Sequence, residues 1–461
     1  MPSFDEFMRP GKRGYLIGIG GVSLAPPAEV LHGEGLLIRG TDVQRSEKVE
    51  ELEKLGIRVN IGHRAENITE EYDFVVRTAA VRDDNPEIQA AHGLGIPVFE
   101  RTQAWGAIMK DYRNALCIAG THGKTTTTSM CTHILMAAEK DPTVMIGGTL
   151  PLLHAGHRVG KGDTIVMESC EYYDSFLSFF PTIAVILDVE ADHLDYFKDL
   201  DAIKASFRKF ASLVPQDGAV IVNLDDPNAM DSVRGLERTV VTFGLSEGAD
   251  VRAVNIVSSG AQSEFDVLYG GELFAHLNIR VPGLHNIKNA LAATTAAILL
   301  GISPTAVTYG LSAFRGANRR FEFKGKYNGA DVYDDYAHHP GELKALLDAV
   351  EPMGYKRTVV VFQPHTYSRT KALFDDFVEQ LKRPDLTYLA EIYAAREKNT
   401  LGISSEDLAK QIPNSLFFST FGELETALRW AVAPGDIVLT VGAGDVYRIG
   451  ENLVEAIEEK A

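Results

Sequence analysis

The chain has 461 residues, 45% of them apolar and 23% charged, and a formal net charge of −18. That length calls for about three domains and that mix for a globular fold, while the negative balance argues against nucleic acid or an anionic membrane as partner. Cys117, Cys131 and Cys170 share no metal or redox spacing, which fits small buried side chains in a reducing compartment.

The start, Met1-Pro2-Ser3-Phe4, lacks a basic segment followed by an apolar one, so no signal peptide is expected and the cytoplasm is the expected location. Tyr15-Leu16-Ile17 reads as a strand running into Gly18-Ile19-Gly20-Gly21-Val22-Ser23, followed by a helical stretch and a strand from Leu36 that ends at Asp42. This is the layout of a dinucleotide-binding start, although Ser23 replaces its third glycine and Pro26-Pro27 fall where the helix should begin. By itself the turn fits an NAD ribose on Asp42, a diphosphate sugar, or a purely structural bend. Strands at Phe74-Val75-Val76 and Pro97-Val98-Phe99 extend the α/β pattern, and the loop Arg77-Thr78-Ala79-Ala80 lies at a strand's C-terminal end, where such folds put ligands.

The apolar strand Ala115–Ala119 leads into Gly120-Thr121-His122-Gly123-Lys124-Thr125-Thr126, and helical spacing resumes at Met130, Ile134 and Leu135. A strand, a glycine turn and a helix make a phosphate loop. The glycines let amides face an anion, the helix presents its positive end, Lys124 neutralises phosphate oxygens and the Thr125 hydroxyl suits Mg²⁺. The loop has two residues fewer between its glycines than the usual ATPase pattern. ATP is the expected ligand.

A strand over Asp163–Met167 ends at Glu168, the place for a magnesium carboxylate, with Glu171 just beyond it. A strand over Thr182–Leu187 runs into Asp188-Val189-Glu190-Ala191-Asp192-His193, where His193 suits a second divalent ion or simply a surface hydrogen bond. From about Val240 to Pro282 short alternating segments read as a small appended antiparallel sheet. Asn286 and Asn289 then fall on one face of an alanine-rich helix, as capping groups or as contacts for a base or an attacking group. The apolar-leaning run from Ala290 to Ile302 is too short to span a bilayer. Strands at Asp331–Tyr333, Thr358–Phe362, Leu386–Leu389 and Asp436–Thr440 make a third α/β layer.

Taken together, Gly120–Thr126, Glu168-x-x-Glu171, Asp192-His193-x-Asp195, His285-Asn286-x-x-Asn289, Arg319-Arg320-Phe321-Glu322 and Asp335-Tyr336-Ala337-His338-His339-Pro340 resemble, in order, the Mur ligase family of bacterial peptidoglycan synthesis. Within it, the Asp335–Pro340 run, Phe362-Gln363-Pro364-His365 with Arg369-Thr370, and Glu391-x-Tyr393 look like the member that attaches L-alanine. Thr366 departs from that pattern, and Phe207 stands near the site where later members carbamylate a lysine, so no carbamate is expected.

The resemblance implies three α/β domains: a Rossmann-like UDP-sugar domain over 1–113, a phosphate-loop ATP domain with the small antiparallel sheet over 114–318, and a Rossmann-like amino-acid domain over 319–461. It implies ATP-dependent joining of L-alanine to the lactyl carboxylate of UDP-N-acetylmuramate through an acyl phosphate, with two Mg²⁺ ions, in a monomer or homodimer. Gly120, Thr121, His122, Gly123, Lys124, Thr125 and Thr126 would bind ATP. Thr125, Glu168 and His193 would hold metal, and Lys124, Glu168, His193, Asn286, Asn289, Arg320 and Asp335 would form the catalytic set. Gly18, Gly20, Gly21, Ser23, Asp42 and Thr78 would contact the UDP-sugar, and His365 and Arg369 the amino acid. The competing expectations are a family sibling that attaches murein tripeptide, an NAD-dependent oxidoreductase fused to an ATPase, and a non-catalytic nucleotide-dependent regulator.

Overall fold

The computed structural model describes residues 3–78, 80–395 and 397–458. Met1 and Pro2, the loop position Ala79, and Glu459 to Ala461 at the end of the third domain lie outside the described residues. The fold has three α/β domains, each built on its own sheet.

The first sheet contains β1 (Arg13–Ile17), β2 (Leu37–Asp42), β3 (Arg58–Ile61), β4 (Phe74–Arg77) and β5 (Val98–Glu100), all parallel in the order β3-β2-β1-β4-β5. The short β3 was not legible as a strand, because its residues are too exposed to carry an apolar pattern. Pro26 and Pro27 occupy the first turn of the helix Ala25–Gly33, where backbone amides have no intrahelical acceptor, so the prolines start the helix rather than block it.

Ten strands form the central sheet: β6 (Asn114–Ala119), β7 (Thr143–Leu150), β8 (Ala155–Arg158), β9 (Thr164–Glu168), β10 (Ile183–Ile186), β11 (Ala219–Asn223), β12 (Thr239–Gly244), β13 (Val251–Ser259), β14 (Gln262–Tyr269) and β15 (Glu272–Ile279). The antiparallel segment expected after Val240 is not a separate sheet. Residues 239–244 pair in parallel with β11, and β13 joins β12 through Phe243↔Val251 and Gly244↔Arg252, so the β13–β15 meander extends the same sheet. At the other edge the hairpin β7–β8 escaped sequence reading because its glycines and half-buried positions break the alternation.

The third sheet runs β16-β17-β21-β18-β19-β20, from β16 (Glu322–Tyr327), β17 (Ala330–Asp335), β18 (Arg357–Phe362), β19 (Leu386–Leu389), β20 (Ser415–Phe417) and β21 (Asp436–Val441), with only β16 antiparallel. One apolar core runs from the first domain into the central one, joining Trp105 to Phe176, Phe207 and Phe210. A Cβ on Gly106 would lie 2.0 Å from the Ser178 carbonyl oxygen, so these two domains touch at backbone distance. Among the described residues, no helix is long and apolar enough to cross a membrane.

This topology fixes where chemistry can occur. In each domain the polar candidates lie at the C-terminal ends of adjacent parallel strands, the crevice side of an open α/β sheet. Gly18, Asp42 and Thr78 close β1, β2 and β4. The glycine turn, Glu168 and Asp188 close β6, β9 and β10, while Asp335, Gln363 and Gly442 close β17, β18 and β21.

Candidate active site

The turn after β6 is shaped by close approach. Gly120 and Gly123 have φ of 152° and 78°. A Cβ would lie 2.8 Å from the Leu187 Cβ at the first and 2.5 Å from Asn289 Oδ1 at the second, so only glycine fits either position. The next strand's exit holds the turn: the Asp188 carbonyl accepts from the Thr121 amide (3.1 Å), its Oδ1 accepts from the His122 amide (2.8 Å), and the Glu190 amide donates to Thr121 Oγ1 (2.8 Å). Desolvation pushes the Asp188 carboxyl up to about 6, against the pull of His122.

Lys124 opens the helix Lys124–Ala137 and folds its ammonium over the turn, donating to the carbonyls of Gly120 and Thr121 and to Glu171 Oε2 at 3.1 Å. Desolvation opposes its charge, but Glu171, with Cys170 and Glu168 nearby, holds its pKa above the ordinary lysine range. Thr125 donates to Glu168 Oε1 at 3.0 Å, and the other carboxylate oxygen accepts from the Gly147 amide at 2.7 Å. A Cβ on Gly147 would fall 2.4 Å from Glu168 Oε1, so that glycine makes the space in which the carboxylate stands.

His193 does not contact Glu168. Its Nε2 lies 3.9 Å from Glu171 Oε1 and 3.8 Å from Asp192 Oδ2, and its ring stacks on Tyr172 at 4.2 Å. Its backbone φ of 52° is left-handed, which for histidine reflects constraint by its neighbours. Burial lowers its pKa, leaving a neutral ring able to bind metal. Lys124, Glu171, His193, Asp192 and Arg369 thus form one chain of charged and polar contacts.

On the other side of the turn lies a cavity of about 470 Å³ lined by His122, Gly123, Thr126, Asn286, Asn289, Arg320 and Asp335, together with Asn223, Phe243 and Lys288. Asn286 donates to the Pro282 carbonyl (2.6 Å), and Asn289 donates to Asn286 Oδ1 (3.3 Å). Arg320 pairs with Glu342 Oε1 at 3.3 Å. Asp335 accepts from the Phe321 and Ala337 amides, both at 2.8 Å, and desolvation pushes its carboxyl up to about 6. It makes no hydrogen bond to Lys124, whose ammonium pairs with Glu171 among the described residues.

Arg369 and His365 come from the third domain and reach the central one. Arg369 donates from Nε and Nη2 to Asp192 (3.1, 3.0 and 3.3 Å) and from Nη1 to His365 Nδ1 (3.0 Å). The guanidinium expected for an amino-acid carboxylate is therefore engaged by a protein carboxylate here. Burial and Arg369 push His365 down to about 4. Thr366, between them, has φ 65° and ψ 147°, a region that strains any residue other than glycine and is tolerated mainly at functional sites.

In the first domain Gly18 has φ of 83°. Asp42 accepts from the amides of Gly20 (2.9 Å) and Val43 (2.8 Å), so one oxygen braces the glycine turn and the other the exit of its own strand. Thr78 Oγ1 accepts from the Ala80 amide (3.2 Å). Gly21 and Ser23 lie beside them, half-buried at the same crevice.

Glu171, Asp188, Glu190, Asp192 and His339 stood inside sequence motifs without an assigned role, and Glu342 stood in none of them. Only Glu342 left a local signal: His339 caps the helix Pro340–Val350, with Glu342 closing the capping box. The other pairings span from 47 (Lys124 to Glu171) to 177 residues (Asp192 to Arg369) and have no local signature.

Three sequence profiles match the chain: "Mur ligase family, catalytic domain" over residues 14–113, "Mur ligase middle domain" over 118–297, and "Mur ligase, glutamate ligase domain" over 319–444. A UDP-N-acetylmuramate–L-alanine ligase of Caldanaerobacter subterraneus is 47% identical over 450 residues, covering 96% of this chain and 97% of its own. The crystal structure of a UDP-N-acetylmuramate-alanine ligase from Thermotoga maritima aligns with TM-score 0.78 at 28% identity, over 97% of this chain and 100% of that one. A murein peptide ligase from Psychrobacter arcticus shares the fold, with TM-score 0.68 at 23% identity over 97% and 99%.

Proposed function

The chain belongs to the Mur ligase family, and from that premise we propose that it joins L-alanine to the lactyl carboxylate of UDP-N-acetylmuramate at the expense of ATP. The observation that carries the reading is the convergence at the β6, β9 and β10 exits. A glycine turn, Lys124, Thr125 and the carboxylates Glu168 and Glu171 lie beside a cavity that also receives Arg320. The relatives named for this reaction match at 42–47% over nearly the whole chain, which favours alanine over the tripeptide of a sibling enzyme.

A free carboxylate does not form an amide until its oxygen becomes a leaving group. In the proposed reaction a lactyl carboxylate oxygen attacks the γ-phosphorus and the bond to the β-phosphate oxygen breaks, giving an acyl phosphate and ADP. The alanine amine then adds to the acyl carbon and phosphate departs, the amine losing a proton. Lys124 and the turn amides hold the β- and γ-phosphates, and Arg320 takes up charge on the transferring group. Asn286, Asn289 and Asp335 line the nucleotide cavity, and Gly18, Gly20, Gly21, Ser23, Asp42 and Thr78 form the UDP-sugar crevice.

The Thr125 hydroxyl and Glu168 carboxylate are hard oxygen donors suited to Mg²⁺, with His193 and Glu171 near enough to serve a second ion. When bound, the ions neutralise phosphate charge. Arg369 turns from Asp192 to the alanine carboxylate, with His365 beside it. The domains run 1–113, 114–318 and 319–461, and the three free cysteines suit a bacterial cytoplasm. Phosphate release should require UDP-N-acetylmuramate and L-alanine together. Release with the tripeptide but not alanine would move the chain to the sibling activity, and release without either would point to a regulatory ATPase. Tight NADH binding in place of the UDP-sugar would support the oxidoreductase reading.

A further inference from the structure

At the phosphate loop, three side chains from the central and third domains converge. His122 Nε2 lies 3.2 Å from Glu190 Oε2, and His339 Nδ1 lies 3.8 Å from the same oxygen. All three ligand-capable atoms fall within 4.8 Å of one another. We propose that His122, Glu190 and His339 form a binding site for a transition-metal dication of the zinc class, joining the central domain to the third.

Two further observations support the site. First, each histidine has its outer nitrogen occupied. For His339 the outer nitrogen is Nε2, which faces the Ala191 carbonyl (3.3 Å), while its inward Nδ1 accepts from the Gly341 amide (3.2 Å), a hydrogen bond that coordination would replace. His122 Nδ1 faces Glu342 Oε1 at 3.6 Å. A carbonyl or carboxylate on the far nitrogen is what orients and strengthens imidazole ligands. Second, space is kept at the convergence point. A Cβ on Gly341 would stand 2.8 Å from Glu190 Oε2, 3.3 Å from His122 Nε2 and 3.4 Å from His339 Nδ1, so any side chain there would intrude among the three donors.

Two imidazoles and one carboxylate suit zinc, with a coordination position left open, and suit magnesium poorly. The electrostatics favour a cation. The Glu190 and Glu342 carboxylates lie on either side of the His122 ring, at 3.2 and 3.6 Å, so the pocket is lined with negative charge. Because His339 belongs to the third domain and the other two ligands to the central one, an ion here would tie the two together.

The test is calorimetric titration of ZnCl₂ into chelator-stripped full-length protein without nucleotide. One ion is expected in the wild type and equally in Glu168→Gln, which alters the proposed magnesium donor. Affinity should fall in His339→Ala by more than the roughly 10–100-fold of losing an outer-shell partner, and clearly in Gly341→Ala. Co²⁺ should give the intense visible bands of a low-coordinate site in the wild type but not in His339→Ala. Absence of zinc binding, undiminished binding in His339→Ala, or its loss in Glu168→Gln would overturn the proposal. If His339→Ala does not fold, Glu190→Gln reads the same loss.

Discussion

The first and central domains each place a glycine turn after a buried parallel strand and before a helix, yet the two turns are built for different work. At Gly18–Ser23 the acid in contact, Asp42, uses both oxygens on backbone amides. At Gly120–Gly123 the turn is braced by Asp188 from the next strand, which leaves Lys124, Thr125, Glu168 and Glu171 as a charged group around it. A glycine turn supplies amides and a helix end in both. What it binds is decided by the side chains that neighbouring strands deliver.

That contrast is open to experiment, and the largest effect is expected at Lys124. Lys124→Ala should lower phosphate release by roughly 10²–10³-fold, the usual loss for one donor to a reacting oxyanion, while calorimetry shows UDP-sugar affinity unchanged. An equal loss of UDP-sugar binding would erase the distinction between the turns.

Burial of a carboxyl should also give this cleft its own pH signature. Asp335 is raised from 3.8 to about 6, so the folded protein keeps this proton where the unfolded chain has lost it. The associated stability is present below about pH 4 and is lost as pH rises through about 6. Asp335→Asn removes this dependence and should gain about 3 kcal/mol on wild type between those limits, at about 1.4 kcal/mol per unit. Parallel chemical-denaturation curves at the two ends would refute it.

A smaller change is expected where the third domain meets the central one. Asp192→Asn weakens the grip on Arg369, a pair whose side chains are only 10% and 9% exposed. Losing charge-assisted hydrogen bonds of this kind costs roughly 1–3 kcal/mol, here expected as lost stability in melting, with KM for L-alanine lowered because Arg369 no longer has to leave Asp192. The mildest is Asp42→Ala, which frees the Gly20 and Val43 amides. Melting should report a loss of about 1 kcal/mol, with weaker UDP-sugar binding and unaltered ATP binding. A fall in ATP affinity would show that the two turns are coupled.

Much of this was legible in the chain itself. Apolar runs of four to six residues ending in glycine or acid gave most strands, because a parallel strand buried on both faces must be apolar throughout and its polar residues collect at its C-terminal end. β3, β7 and β8 were not legible, since half-exposed or glycine-bearing strands at or next to a sheet edge carry no such pattern. The residue types around the phosphate loop were visible as well, because backbone turning, phosphate neutralisation and hard-oxygen ligation each demand particular side chains at particular offsets.

Sequence alone determined the three α/β layers, the phosphate loop and the acids just past the strands, all consequences of local periodicity and turn chemistry. Only the tertiary structure decided which acid meets which base: Lys124 with Glu171 rather than Asp335, Asp192 with Arg369, and His122 and His339 on Glu190. Those pairings join strand ends far apart in the chain, and an ion pair has no period. Its partners are chosen by sheet order and by the low polarity of the cleft, where a charge without a partner is costly.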